Sequence, residues 1–104
     1  MKNLIFLELN EVNFEVVSFY IERGSCLPGF KRLIEQGIVN TEAEPEYDHL
    51  EPWIQWPSVH TGKKYDEHNV FRLGDFVNSS SEQFFEKVEK AGFSVGAISP
   101  MNAS

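Results

Sequence analysis

Residues 3–9 read NLIFLEL. Five of the seven side chains are Leu, Ile or Phe, and the run stops at the polar pair Asn10-Glu11. A short, nearly continuous apolar run of this kind suits a strand covered on both faces in a parallel sheet. Residues 93–98, FSVGAI, carry the same signature, with Gly96 permitting close packing, and Ile38-Val39 carries a shorter one. The segments between these runs have helical periodicity. The expected order is β-α-α-β, a site loop with a short helix, then α-β. Strands alternating with helices define an α/β class, a parallel sheet flanked by helices.

The helical segments are read from caps and spacing. Phe14 to Glu22 presents Val16, Val17, Phe19, Tyr20 and Ile21, with Asn13 as the expected N-cap and Gly24 as the stop. Pro28 opens a second helix in which Phe30, Leu33 and Ile34 recur at i, i+3 and i+4, and Gly37 closes it. Ser79 and Glu82 have the spacing of a capping box. They predict a helix over about 80–90 that buries Phe84, Phe85, Val88 and Ala91 and stops at Gly92. Gly74-Asp75 is a turn signal. Residues 41–50 form an acidic loop in which Asp48-His49 reads as a metal or proton-transfer pair, or as an ordinary loop contact.

At 104 residues the chain amounts to one domain or part of one. Its formal net charge of -7 argues against a broad electrostatic grip on nucleic acid or an anionic membrane. The single cysteine, Cys26, cannot form an internal disulfide, which fits a reducing compartment. The opening MKNLIFLELNEVNF is interrupted by Glu8 and Asn10 and lacks a small-residue cleavage site, so it makes a poor leader and is too short to span a bilayer. The expectation is a cytoplasmic protein. The chain ends at SPMNAS directly after the last expected strand. A sheet ending there would leave an edge uncovered, so the chain is expected to be the N-terminal part of a longer protein.

The chemistry concentrates between Glu51 and His68, EPWIQWPSVHTGKKYDEH, which holds both tryptophans and two of the three histidines. This is either a site or a loop whose tryptophans belong to the core. Pro57 suits the first turn of a short helix over residues 57–61, with Gly62 ending it. The free N–H groups of such a start would bind phosphate or sulfate. Ser58 then either attacks a bound phosphoryl group or bonds its own backbone. Asp66 and Glu67 precede His68, so a carboxylate could orient that ring or share a metal with it. Asn10 and Glu11, beyond the carboxyl end of the first run, are either site residues or a polar turn. No P-loop, GxGxxG, CxxC or HExxH occurs.

In order and spacing, the first run, LPGFKRLIEQG at 27–37 and PWIQWPSVHTGKKYDEHNVF at 52–71 resemble the start of the alkaline phosphatase superfamily, in particular its type I phosphodiesterase/nucleotide pyrophosphatase branch and the related sulfatases. Thr61-Gly62 and Glu67-His68 match the family's "TG..P..HG" element, and KAGFSVGAIS at 90–99 resembles the strand that follows. The resemblance spans nearly the whole chain but only the N-terminal portion of the family domain. It places a divalent metal, zinc or manganese, at Asn10 and Glu11, with Asn10 on the family's metal-binding Asp and Glu11 on its Gly. The family's nucleophile falls on Gln55 or Pro52, neither of which is useful, which leaves Ser58 as the nearest hydroxyl. Asn69 stands where the family has Gly.

The resemblance therefore implies a metal-dependent hydrolase or transferase of small-molecule phosphate, phosphodiester or sulfate esters. Ser58 is its catalytic residue, and Trp53, Gln55, Trp56 and His60 contact the substrate. The family's other ligands would lie beyond residue 104, so the chain alone is expected to be inactive. The alternative is a catalytically dead α/β binding module for a glycan or a protein partner, using the Trp53/Trp56 surface.

Overall fold

The computed structural model describes residues 3–103. Met1, Lys2 and Ser104, which belong to the leader and C-terminal expectations above, lie outside the described residues. The chain divides into two compact units, Met1–Thr41 and Glu42–Ser104.

The expected α/β class is overturned. The described residues form helices and turns and contain no strand. Residues 3–9, 38–39 and 93–98 run without ladder partners, and their apolar side chains face outward. Leu4 is 85%, Ile5 89% and Ile98 96% exposed. A strand exists only through hydrogen bonds to a neighbour and burial of its faces, and neither is found at these runs. An apolar run states what a segment would gain from cover; it does not supply the cover.

In the first unit, α1 (Phe14–Glu22) begins and ends as its sequence indicates. Asn13 is the N-cap, and its Oδ1 accepts from the Glu15 and Val16 N–H groups at 2.7 and 3.3 Å. At the other end the Gly24 N–H bonds the Ile21 carbonyl and the Ser25 N–H bonds the Tyr20 carbonyl. This pair of bonds is the Schellman closure, which requires the left-handed backbone that Gly24 adopts at φ 87°. Helix α2 (Pro28–Gln36) has Pro28 in its first turn and Gly37 at its C-cap. Phe14 and Phe30 meet edge to face at 6.0 Å, and Val17 is buried.

In the second unit, α3 (Pro52–Thr61) packs against α4 (Tyr65–His68) and α5 (Phe84–Lys90), with short 3₁₀ turns at Tyr47–His49 and Asp75–Asn78. Helix α3 starts five residues earlier than expected, at Pro52, so Pro57 lies inside it. A proline there has no N–H for the carbonyl four residues back, which is Trp53. The Asn102 side chain fills the vacancy: its Nδ2 donates to the Trp53 carbonyl at 2.6 Å and to the Arg72 carbonyl at 3.2 Å. Its Oδ1 accepts from the Gly74 N–H at 3.1 Å. One carboxamide thus joins α3, the turn at 72–74 and the chain end.

Helix α5 starts later than the expected 80–90. Gln83 caps it, and the Glu86 carboxylate accepts from the Gln83 N–H at 2.6 Å. Ser79 instead accepts from the Ser81 N–H at 3.1 Å and shapes the preceding turn. The capping-box spacing occurs twice within eight residues, and the second occurrence is the one used.

Two outcomes follow. Asn13→Ala removes a two-donor cap and should destabilise α1 by about 1 kcal/mol, measured as faster amide exchange at Val16 and Val17. Asn102→Asp replaces the donor by an acceptor and should lower the stability of the second unit by about 1–3 kcal/mol in urea unfolding followed by tryptophan fluorescence. In a Pro57→Ala background the restored N–H can serve the Trp53 carbonyl, so the same change should cost less.

Candidate functional site

The second unit has an unusually polar interior. Ile54, Val70 and Phe76 are buried, and so are His60, Thr61, His68, Ser81 and Gln83. Burying such groups is unfavourable unless they bond. Thr61 Oγ1 donates to the Pro57 carbonyl at 2.7 Å, the ordinary back-bond of a helical threonine. Lys63 Nζ donates to Ser81 Oγ at 3.1 Å.

The central contact joins α3 to α4. Ser58 Oγ lies 2.9 Å from His68 Nε2. Gly62, in the left-handed conformation at φ 69°, ends α3 and turns the chain back. The four-residue α4 then ends at Asn69, also left-handed at φ 52°. This reversal seats His68 against α3, where it is only 4% exposed.

The backbone fixes which ring nitrogen carries the proton. The Val70 N–H donates to His68 Nδ1 at 3.0 Å, so Nδ1 offers its lone pair. The neutral ring therefore holds its proton on Nε2 and donates it to Ser58 Oγ. His68 here is a donor to the hydroxyl and cannot also be its base. Burial is the main force holding the His68 pKa below the usual 6.5, with the Lys63 and His49 charges acting in the same direction and Glu44 and Glu67 opposing them. Protonation would also set a second N–H against that of Val70.

The other expected site residues are placed as follows. Ser58 stands in the body of α3, not in its first turn, so the anion-binding helix start expected beside it is displaced to Pro52. Gln55 Nε2 donates to the Leu50 carbonyl at 2.6 Å. Trp53 and Trp56 are half-buried. His60 is fully buried, stacked against Trp56 at 5.9 Å and in contact with the rings of Phe84 and Phe85. His49 stacks on Tyr65 at 3.8 Å, and Tyr65 meets His68 edge-on. Glu44 Oε1 accepts from the Tyr65 N–H at 2.7 Å and so secures the start of α4.

Asn10 and Glu11 belong to the first unit. Both are exposed, and Asn10 Nδ2 donates to Glu11 Oε1 at 3.2 Å. One carboxylate and one neutral amide make an incomplete shell for zinc or manganese, which take four or more ligands. Among the described residues no group of three or more His, Cys, Asp or Glu side chains could hold a metal ion. No catalytic step is therefore assigned to a metal here. The lone thiol, Cys26, is exposed. Among the described residues no helix is long and apolar enough to cross a membrane.

The His68 pairing with Ser58 and the Lys63 pairing with Ser81 are the features that local sequence did not reveal. The glycine at 62 was the available signal, because a left-handed stop ends the helix and redirects the chain. No known protein family, curated protein or solved structure matches this chain.

The sign of the His68 effect is determined. Its folded pKa is lowered, so the unfolded chain binds the proton first as the pH falls. The stability due to neutral His68 is complete above 6.5 and is lost as the pH drops from 6.5 through the folded value. A ring-proton NMR titration should place His68 below 6.5. His68→Gln should flatten the fall in stability of the second unit over that window.

Proposed function

We propose that the second unit carries the reacting hydroxyl of a hydrolase or transferase of small-molecule phosphate or sulfate esters, with Ser58 as nucleophile and His68 as its hydrogen-bond donor. One observation carries this reading: the 2.9 Å contact in which His68 Nε2–H is directed at Ser58 Oγ. A donor aimed at a hydroxyl oxygen favours that oxygen as negative charge builds on it. The Lys63 ammonium, close enough to act on the His68 ring, adds positive potential that suits an anionic ester.

In the reaction the bond from Ser58 Oγ to phosphorus or sulfur forms as the bond to the leaving alcohol breaks. The serine proton passes to an oxygen of the transferring group and leaves on the alcohol. Water, or a second alcohol, then attacks the phosphorus or sulfur, and its proton passes by way of an oxygen of the transferring group to Ser58 Oγ as the serine ester bond breaks. His68 keeps its proton throughout, because Nδ1 is held as an acceptor by Val70. Zinc or manganese enters only as an assay variable. We propose a cytoplasmic location, with which the single cysteine, Cys26, is consistent.

The test uses the full-length protein that carries this chain, with p-nitrophenyl phosphate, its bis ester and p-nitrophenyl sulfate, with and without added zinc or manganese. Ser58→Ala should abolish turnover, and a quenched reaction should carry the transferred group on Ser58 by mass spectrometry. His68→Gln retains a neutral N–H donor and should keep more activity than His68→Ala, which should lose roughly 10²–10³-fold. Unchanged turnover in Ser58→Ala would overturn the reading.

A further inference from the structure

A cavity of about 400 Å³ opens beside the second unit's site, and His68 forms part of its wall. Its volume falls within the roughly 300–1,000 Å³ usual for small-molecule sites. Most such sites are mainly apolar; this one is not. The carboxamides of Asn69 and Asn78, the carboxylates of Glu67 and Asp75 and the hydroxyls of Ser79, Ser80 and Ser81 line it, while Val70 is the one aliphatic residue of the lining.

Several of these groups are already held in place. Asp75 Oδ2 accepts from the Phe71 and Arg72 N–H groups at 3.2 and 2.8 Å, which leaves Oδ1 able to accept from a ligand. Asn69 Nδ2 donates to the Asp66 carbonyl at 3.0 Å. Ser79 Oγ accepts from the Ser81 N–H, so its own proton can be donated outward. Ser81, only 6% exposed, receives Lys63. Anchored polar groups lose little freedom on binding a ligand.

We propose that this cavity binds the polyhydroxylated part of the ester, a sugar or other polyol, and so selects sugar phosphates or sulfates over aryl or alkyl esters. The chemistry follows from the lining. Each ligand hydroxyl both donates and accepts, and amides, hydroxyls and a fixed carboxylate satisfy both demands at close spacing. An apolar leaving group would desolvate these same groups without replacing their bonds. The Glu67 and Asp75 carboxylates disfavour the anionic end of the ester here, and the Lys63 ammonium stands at the Ser81 side of the cavity. The proposal rests on the ester reading above, because it assigns the alcohol portion of that substrate.

Binding and turnover are measured separately on the full chain. Glucose 6-phosphate, phenyl phosphate and inorganic phosphate are titrated into labelled protein and followed by amide NMR. Glucose 6-phosphate should shift Asn78, Ser79 and Ser80, and the other two should not. Asn78→Ala and Ser80→Ala should each weaken glucose 6-phosphate binding about tenfold, the size of one lost hydrogen bond. They should raise KM for glucose 6-phosphate more than KM for p-nitrophenyl phosphate. No shift at these residues, or equal shifts with phenyl phosphate, would overturn the proposal. Shifts confined to glucose 6-phosphate in a protein that turns over no ester would support the cavity and overturn the ester reading alone.

Discussion

The second unit depends on how one proline is accommodated. Pro57 lies in the body of α3 and leaves the Trp53 carbonyl without its helical partner. Asn102, forty-nine residues away, supplies the missing donor and at the same time holds Arg72 and Gly74. A local defect in the helix thus becomes a long-range tie. The arrangement is economical because a carboxamide is both donor and acceptor and because asparagine tolerates the left-handed backbone that it adopts here, φ 48°.

The same unit tolerates an interior rich in polar groups because those groups are met by backbone and by one another. His68 is the clearest case. Val70 uses one ring nitrogen and Ser58 the other, so the ring is neutral, oriented and committed to a single tautomer. That commitment gives the site its chemical character. A histidine free to accept from a serine would act as its base. One pinned as a donor cannot take the serine proton.

Much of the helical framework was legible in the sequence. The bounds of α1, the Asn13 cap, the Gly24 closure, the start of α2 at Pro28 and the Gly62 stop all follow from local rules, because a cap or a left-handed turn is satisfied within a few residues. The start of α3 was not legible, since Pro52 and Pro57 offer equally good first-turn prolines and only tertiary packing selects between them. The runs at 3–9 and 93–98 misled for a different reason. Their composition is that of covered strands, yet strand formation is a property of a pair of segments, and no pair forms among the described residues. Of the candidate site, local sequence marks Ser58 as a hydroxyl of interest and His68 as a ring for a neighbouring carboxylate to orient. Their contact, ten residues apart across a reversal, was not seen.

The sequence by itself determined the bounds of α1, the start of α2 and the Gly62 stop, which residues can react and that the chain is acidic. These are consequences of side-chain chemistry and short-range hydrogen bonding. Only the tertiary structure decided that Pro57 lies within a helix, that Asn102 completes it, that His60 is core and that His68 meets Ser58 as a donor. Each of those outcomes depends on a backbone group or a burial supplied by a distant part of the chain, and no local pattern encodes which distant group will arrive.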